Sequence, residues 1–236
     1  MARFKGFGPD TIGFFKALGF HQNRDWFQEN RTLYEEQIKG PTLALVEDLS
    51  ERFEKAGIPL RGGKATLFRI NRDVRFSKDK RPYQTHAGAV LTPSGDKKGQ
   101  GLVYFHIAPP GMKDWEGSPE GSFIAVGFHQ PEPDQLATIR TTIQRDPKAF
   151  QALEAKLAKE KLSLSPDGQL TRVPRGFEAM KGSPVEGAIR MKSFIVEEPI
   201  EEALVTTPKL TDQIVKFVQR ARPLLDYGWK ALGTAP

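Results

Sequence analysis

The spacing of apolar residues changes period twice along this chain, and those two changes restrict its fold more than any other feature. In the first third, apolar residues recur at three and four: Ile12, Phe14, Phe15 and Leu18; then Trp26, Phe27, Leu33, Tyr34 and Ile38; then Leu43, Val46, Leu49, Phe53 and Ala56. That spacing gives one apolar stripe per helix. Gly8-Pro9 opens the first helix and Gly19 closes it. Asn23 is a natural N-cap for a second helix through about Lys39. Gly40-Pro41 is expected to break that helix and start a third, which Gly57 stops.

From about residue 65 to 130 the period falls to two. Phe68, Ile70, Val74 and Phe76 alternate with Arg69, Asn71, Asp73 and Arg75, and Arg72 falls on the apolar side. Further strands are predicted over 85–91, 102–108 and 122–129, with turns or loops at 93–96 and 109–121. The helical period then returns. Residues 133–145 carry Leu136, Ile139 and Ile143 on one face, and Asp146-Pro147 opens a helix bearing Phe150, Leu153 and Leu157. Residues 162–200 read as irregular, with strand-like pieces at 171–173 and 193–196. Thr207-Pro208 opens a last helix along Leu210, Ile214, Phe217 and Ala221, which Pro223 should kink or end. Helices, then strands without intervening helices, then helices again predict an α+β fold: a mostly antiparallel sheet with helices packed on one face. One domain is expected over 1–236, with N-terminal helices at about 9–57, sheet at about 65–130 and C-terminal helices at about 133–232.

Composition narrows the functional classes. Apolar residues at 38% and charged residues at 27% suit a packed globular chain rather than a disordered one. The absence of cysteine excludes disulfides, thiolate catalysis and cysteine-ligated metal centres. No apolar run approaches the ~18 residues that cross a membrane, so no membrane partner is expected. The first eight residues lack the apolar core of a secretory leader. Cytoplasmic residence is the expectation, and nothing in the chain sets an oligomeric state.

Net charge is +6, but it is unevenly placed. Residues 69–81 hold six basic and two acidic side chains, which is +4 of the total, with Arg61 and Lys64 just upstream. An anionic partner should be met there first. Arg75, Lys78, Lys80 and Arg81 offer forks and point charges to a phosphate or carboxylate. Asp73 and Asp79 can orient those cations or act as a base. Ser77 and Tyr83 add hydroxyls. Arg72, on the apolar side of the alternation, needs an internal carboxylate or a cleft, because an unpaired buried charge is very costly. The same residues also read as a surface hairpin over 77–80 locked by its own ion pairs.

Residues 68–86 contain Arg72-Asp73, Arg75-Phe76-Ser77, Asp79-Lys80 and Pro82-Tyr83, in that order and spacing. This resembles the hallmark of a widespread bacterial and fungal family, domain of unknown function 2461. Asn23-Arg24-Asp25-Trp26-Phe27, the Leu136–Arg140 helix, Val173-Pro174-Arg175-Gly176-Phe177 and Met191-Lys192-Ser193-Phe194 resemble further family blocks in the expected order. Two departures stand out. Ala125-Val126-Gly127-Phe128-His129 replaces a Gly-rich run, and Gly182-Ser183-Pro184 stands where the family often has Asp-His-Pro. The resemblance implies no activity. It adds Lys192 to the candidate site.

Other constellations carry less. His86, His106 and His129 lie on or beside three candidate strands, and a three-histidine metal site requires those strands to be neighbours in register. No spacing motif supports one, and no metal is expected. No phosphate-binding glycine loop and no Gly-x-Ser-x-Gly elbow occurs. Glu154-Ala155-Lys156 sits on an amphipathic helix beside Leu153 and Leu157. Trp26 and Phe27 near Arg24 read as core before they read as a stacking platform, and Trp115, in the 111–121 loop, is a candidate lid residue.

The expected site is a small-anion pocket, for phosphate or carboxylate, built from Arg72, Asp73, Arg75, Lys80, Tyr83 and Lys192. An enzyme built on it would be metal-independent and would use no cofactor, with Asp73 as base or orienter and Arg75 with Lys80 stabilising negative charge. The alternatives are a nucleic-acid-associated module using the same stretch with Arg61, Lys64, Lys97 and Lys98, and a scaffold whose motif is a structural ion-pair network.

Overall fold

The computed structural model describes residues 3–76, 78–112, 119–166 and 168–234. The N-terminal helices are α1 (Thr11–Phe20), α2 (Arg24–Glu29), α3 (Arg31–Tyr34) and α4 (Gly40–Lys55). Asn23 caps α2 as expected, its side-chain oxygen accepting from the Trp26 N–H at 2.9 Å. The expected continuous helix from Asn23 to Lys39 is instead divided at Asn30, whose amide side chain donates to the Trp26 carbonyl.

The break expected at Gly40-Pro41 does not occur. The chain passes from α3 through a wide π turn (Glu35–Lys39) straight into α4. Pro41 has no N–H for the carbonyl four residues back, that of Gln37. That carbonyl accepts instead from the Gly8 N–H and the Thr11 hydroxyl, each at 3.0 Å. The N-terminal segment thus supplies what proline removes, and the helix widens rather than stops.

The sheet comprises β1 (Ala87–Leu91), β2 (Leu102–Ile107), β3 (Phe123–Phe128) and β4 (Phe194–Pro199), antiparallel throughout and ordered β1-β2-β3-β4. Helices α5 (Pro133–Arg145), α6 (Pro147–Lys159) and the short α7 (Glu186–Arg190) lie between β3 and β4, and α8 (Glu202–Val205) and α9 (Lys209–Leu232) follow. The predicted boundaries of 133–145 agree with α5. The 171–173 piece is a bend rather than a strand, whereas 193–196 grows into β4.

One face of the sheet presents Ala89, Leu91, Val103, Phe105, Ile107, Ile124, Val126, Phe128, Phe194 and Val196 to the helices, all within a contiguous apolar cluster. Helix α4 packs on β1 and α9 on β3, while α5 and α6 pack on α9. This is an α+β fold with the helices on one side. Pro223 does not end the last helix: α9 runs through it, burying Ile214, Phe217 and Ala221 before the proline and Leu224, Leu225 and Trp229 after it. A helix-interior proline costs about 3 kcal/mol, and burial of an apolar side chain returns about 1.5–3 kcal/mol each. The stripe on both sides therefore holds the helix together.

The alternation over 68–76 does not make a sheet strand. These residues form the first limb of a hairpin arm that leaves the edge of β1. Leu67 bridges Ala89, Asn71 bridges Tyr83, and the Arg72 and Gln84 N–H groups donate to the Pro82 and Ile70 carbonyls. Helix α2 meets only the base of the arm, where Tyr83 stacks on Phe27. Phe68 is 43% and Phe76 96% exposed, and only Ile70 is buried.

Candidate functional site

Among the described residues no helix packs on the second face of the sheet, and a cavity opens against it. By the period of the strands it presents Gly88 and Val90 from β1, Leu102, Tyr104 and His106 from β2, Phe123 and Ala125 from β3, and Ile195 and Glu197 from β4. The arm rises on the β1 side and the segment before β4 on the other. Between them lies a cavity of about 1090 Å³. Val90, Leu102, Phe123, Ala125 and Ile195 give it an apolar floor, and Asn71, Gln84, Gln100, Gln130 and Ser193 give it a polar rim. This mixture is typical of small-molecule sites.

Four basic side chains line it: Arg69 and Arg72 from the arm, Lys97 from the β1–β2 turn, and Lys192 from the run into β4; two acidic ones, Asp73 and Glu197, accompany them. Each cation is positioned by local structure. The Thr92 hydroxyl folds the β1–β2 turn by accepting from the Gly95 and Asp96 N–H groups. Lys97 is thereby carried back over the Phe68 ring at 5.0 Å, and its ammonium donates to the Leu67 carbonyl at 2.6 Å. Burial, and then the nearby Arg69 charge, push the Lys97 ammonium below its usual pKa. Lys192 sits between two tethers. The buried Arg140 guanidinium donates to the Met191 carbonyl at 2.8 Å, and the Ser193 hydroxyl accepts from the Gln130 N–H at 2.9 Å. Among the described residues neither Arg69 nor Lys192 makes a side-chain hydrogen bond or an ion pair.

The six residues expected from sequence are only partly brought together. Arg72, Asp73 and Lys192 line the cavity; Arg75, Lys80 and Tyr83 are not among its lining residues. Arg72 does both things its position demanded: it pairs with Asp79 at 2.5 Å and borders the cleft. Arg75 turns back on Asp73 through two hydrogen bonds of 3.0 and 2.7 Å, and that contact holds the Asp73 carboxyl below its usual pKa. Lys80 donates to the Val74 carbonyl at 2.9 Å. Tyr83 is buried and stacks on Phe27 with ring centres 4.6 Å apart. Arg81 also binds Asp79, so the motif holds the arm in shape as well as lining the site. Ser77 and Trp115 lie outside the described residues.

Tyr104 was not among the expected site residues, and His86 and His106 were weighed as metal ligands with no metal expected. The Tyr104 hydroxyl is 2.8 Å from His106 Nδ1, and the His86 and His106 rings lie 4.1 Å apart. His129 lines the same cavity. Among the described residues no group of three histidine or carboxylate side chains is arranged to hold a metal ion. The signal available in sequence was Tyr104 and His106 two apart in an otherwise apolar strand, hence on one face. Trp26 belongs with the core, packed near Phe14 and stacked on His21. Glu154 and Lys156 are exposed on α6 between buried Leu153 and Leu157.

Comparison with known proteins agrees with the motif. The family described as "Conserved hypothetical protein (DUF2461)" matches residues 10–227. The chain belongs to this family. The DUF2461 match takes in the arm, the sheet and Lys192, so the cavity lies wholly inside it. No curated protein and no solved structure matches. Among the described residues of this DUF2461 chain, no helix is long and apolar enough to cross a membrane.

Proposed function

We infer that the open face of the sheet binds a small organic anion, a phosphate or carboxylate carried on an apolar body. The observation that supports this reading is the convergence of Arg69 and Lys192 on one cavity from opposite edges of the sheet, each without an ion-pair partner among the described residues. Lys97, whose charge is disfavoured by partial desolvation and by the nearby Arg69, gains from an anion that neutralises both. The apolar floor would take the rest of the ligand. Cytoplasmic residence suits a chain without cysteine.

Isothermal titration with inorganic phosphate and with benzoate tests this reading. Saturable one-site binding is expected. A charge-assisted hydrogen bond is worth about 1.5–3 kcal/mol, so Lys192→Ala and Arg69→Ala should each weaken binding about tenfold or more with unchanged melting temperature. Lys80→Ala, which removes a bond to the Val74 carbonyl with neither residue in the cavity lining, should leave affinity as it was. Equal affinity in all three variants, or no binding by either probe, rejects the pocket.

A second reading rests on the arm tip. Phe76 is 96% exposed with the Arg75 guanidinium 5.8 Å from its ring, which suits stacking on an unpaired base. Binding of a single-stranded oligonucleotide that weakens steeply with salt and is lost in Phe76→Ala would support it.

A further inference from the structure

Tyr104, in the cavity lining, and His106, buried beside it, form a pair that anion binding alone does not need. His106 is 1% exposed, and it hydrogen-bonds Tyr104, which lines the cavity. A buried imidazole is costly in a largely apolar sheet. Its setting is specific. Phe123 stacks on the His106 ring at 4.7 Å and His86 lies against it at 4.1 Å. Tyr104 is aimed by a gap in the neighbouring strand. Gly88, directly opposite His106 in the ladder, would place a Cβ 3.0 Å from the Tyr104 hydroxyl. The missing side chain lets the phenol lie across β1 and meet the imidazole.

We propose that the cavity is an active site in which Tyr104 is the acid–base residue and His106 positions it and exchanges its proton, acting on a carbon acid that bears a carboxylate or phosphate. This rests on the anion-pocket reading above. A phenol–imidazole pair moves protons in either direction. As the Tyr104 oxygen takes a proton from carbon beside a carbonyl, its own proton passes to His106 Nδ1. The C–H bonding electrons become the C=C bond of an enolate, and the oxygen charge faces Arg69, Lys97 and Lys192. Reversal returns the proton to carbon, so every atom and charge is accounted for with no co-reactant.

Deuterium exchange tests this directly. Pyruvate, oxaloacetate and dihydroxyacetone phosphate are incubated with the full chain in D₂O, and loss of the proton signals is followed by NMR beside a titration of binding. The expected result is exchange of at least one probe at about a hundred times the buffer rate, in keeping with general acid–base catalysis. Tyr104→Phe keeps the ring against Phe68 and Phe123 and should bind that probe as before while exchange falls to the buffer rate. His106→Gln should slow exchange and alter its pH profile. Gly88→Ala, which displaces the phenol, should slow exchange without touching a cation. Binding without faster exchange, or full exchange in Tyr104→Phe, overturns the acid–base assignment and leaves the pocket standing. Failure of every probe to bind removes the pocket and the assignment together.

Discussion

Arg72 and Asp79 are joined at 2.5 Å across the hairpin arm, seven residues apart, and the same carboxylate also holds Arg81 at 2.7 Å. One acidic side chain thus fixes the direction of two guanidinium groups. It is the joint on which the shape of the arm depends, and Arg72 reaches the cavity from it.

Removal of that joint should loosen the arm without unfolding the protein. Ion pairs this near the surface contribute little to stability, so Asp79→Ala should lower the melting temperature by no more than about 4 °C for a chain of this size. Hydrogen exchange at the Arg72 and Gln84 amides, which tie the two limbs, should speed up. Global unfolding of Asp79→Ala would show the arm to be part of the core.

Acid should reveal the same joint. Hydrogen bonds from Arg81 and then Arg72 hold the Asp79 carboxyl well below the usual carboxylate range. A depressed native pKa means that the stabilisation is present above the ordinary carboxylate value and is lost as pH falls through the native one. The arm should therefore stay formed from neutral pH to the ordinary carboxylate range and open only below it. Carboxyl ¹³C shifts of Asp79 recorded down the titration would read this, and an ordinary midpoint would contradict the pairing.

Tyr83 should behave as core. Its ring is 6% exposed and stacked on Phe27. Tyr83→Ala should cost about 3–5 kcal/mol in urea unfolding, whereas Tyr83→Phe should leave both stability and phosphate affinity close to wild type. Loss of affinity in Tyr83→Phe would return its hydroxyl to the site.

Helix α9 approaches the sheet so closely that position 228 tolerates no side chain. A Cβ on Gly228 would lie 2.1 Å from the Phe128 ring. Gly228→Ala should cost about 1–3 kcal/mol by overpacking. Gly187→Ala, where a Cβ meets nothing within 4 Å, should be neutral or stabilising by up to about 1 kcal/mol. Thermal melts of the two variants provide the comparison.

The elements that read correctly from sequence are those whose neighbours agree with their own periodicity. Residues 133–145 have proline at the start, Ile139 and Ile143 on one stripe and Asp146 at the end, and they form α5 at those bounds. The three strands predicted over 85–91, 102–108 and 122–129 form within two residues of those limits. Proline misled twice for one reason. Its local cost is plain in sequence, but the Gln37 carbonyl finds donors far along the chain, at Gly8 and Thr11, and the two halves of α9 are held by distant partners. Residues 68–76 misled in the opposite sense. Alternation reports extension, and nothing local says that the arm leaves the sheet and wets Phe76. Of the cavity lining, Arg72 was legible because a charge on the apolar side of an alternation needs a carboxylate or a cleft, Asp73 as the acid in the same basic stretch, and Lys192 only through the family resemblance. Tyr104 was not, because its hydroxyl becomes special only when Gly88 is placed beside it by strand pairing.

The two walls of the cavity stand on strands at opposite margins of the sheet, and residues 129–193 intervene before the last strand pairs with the third. The cavity gains its second wall only where the fourth strand docks on the third, so the anion binding proposed above would report that the last strand is in place.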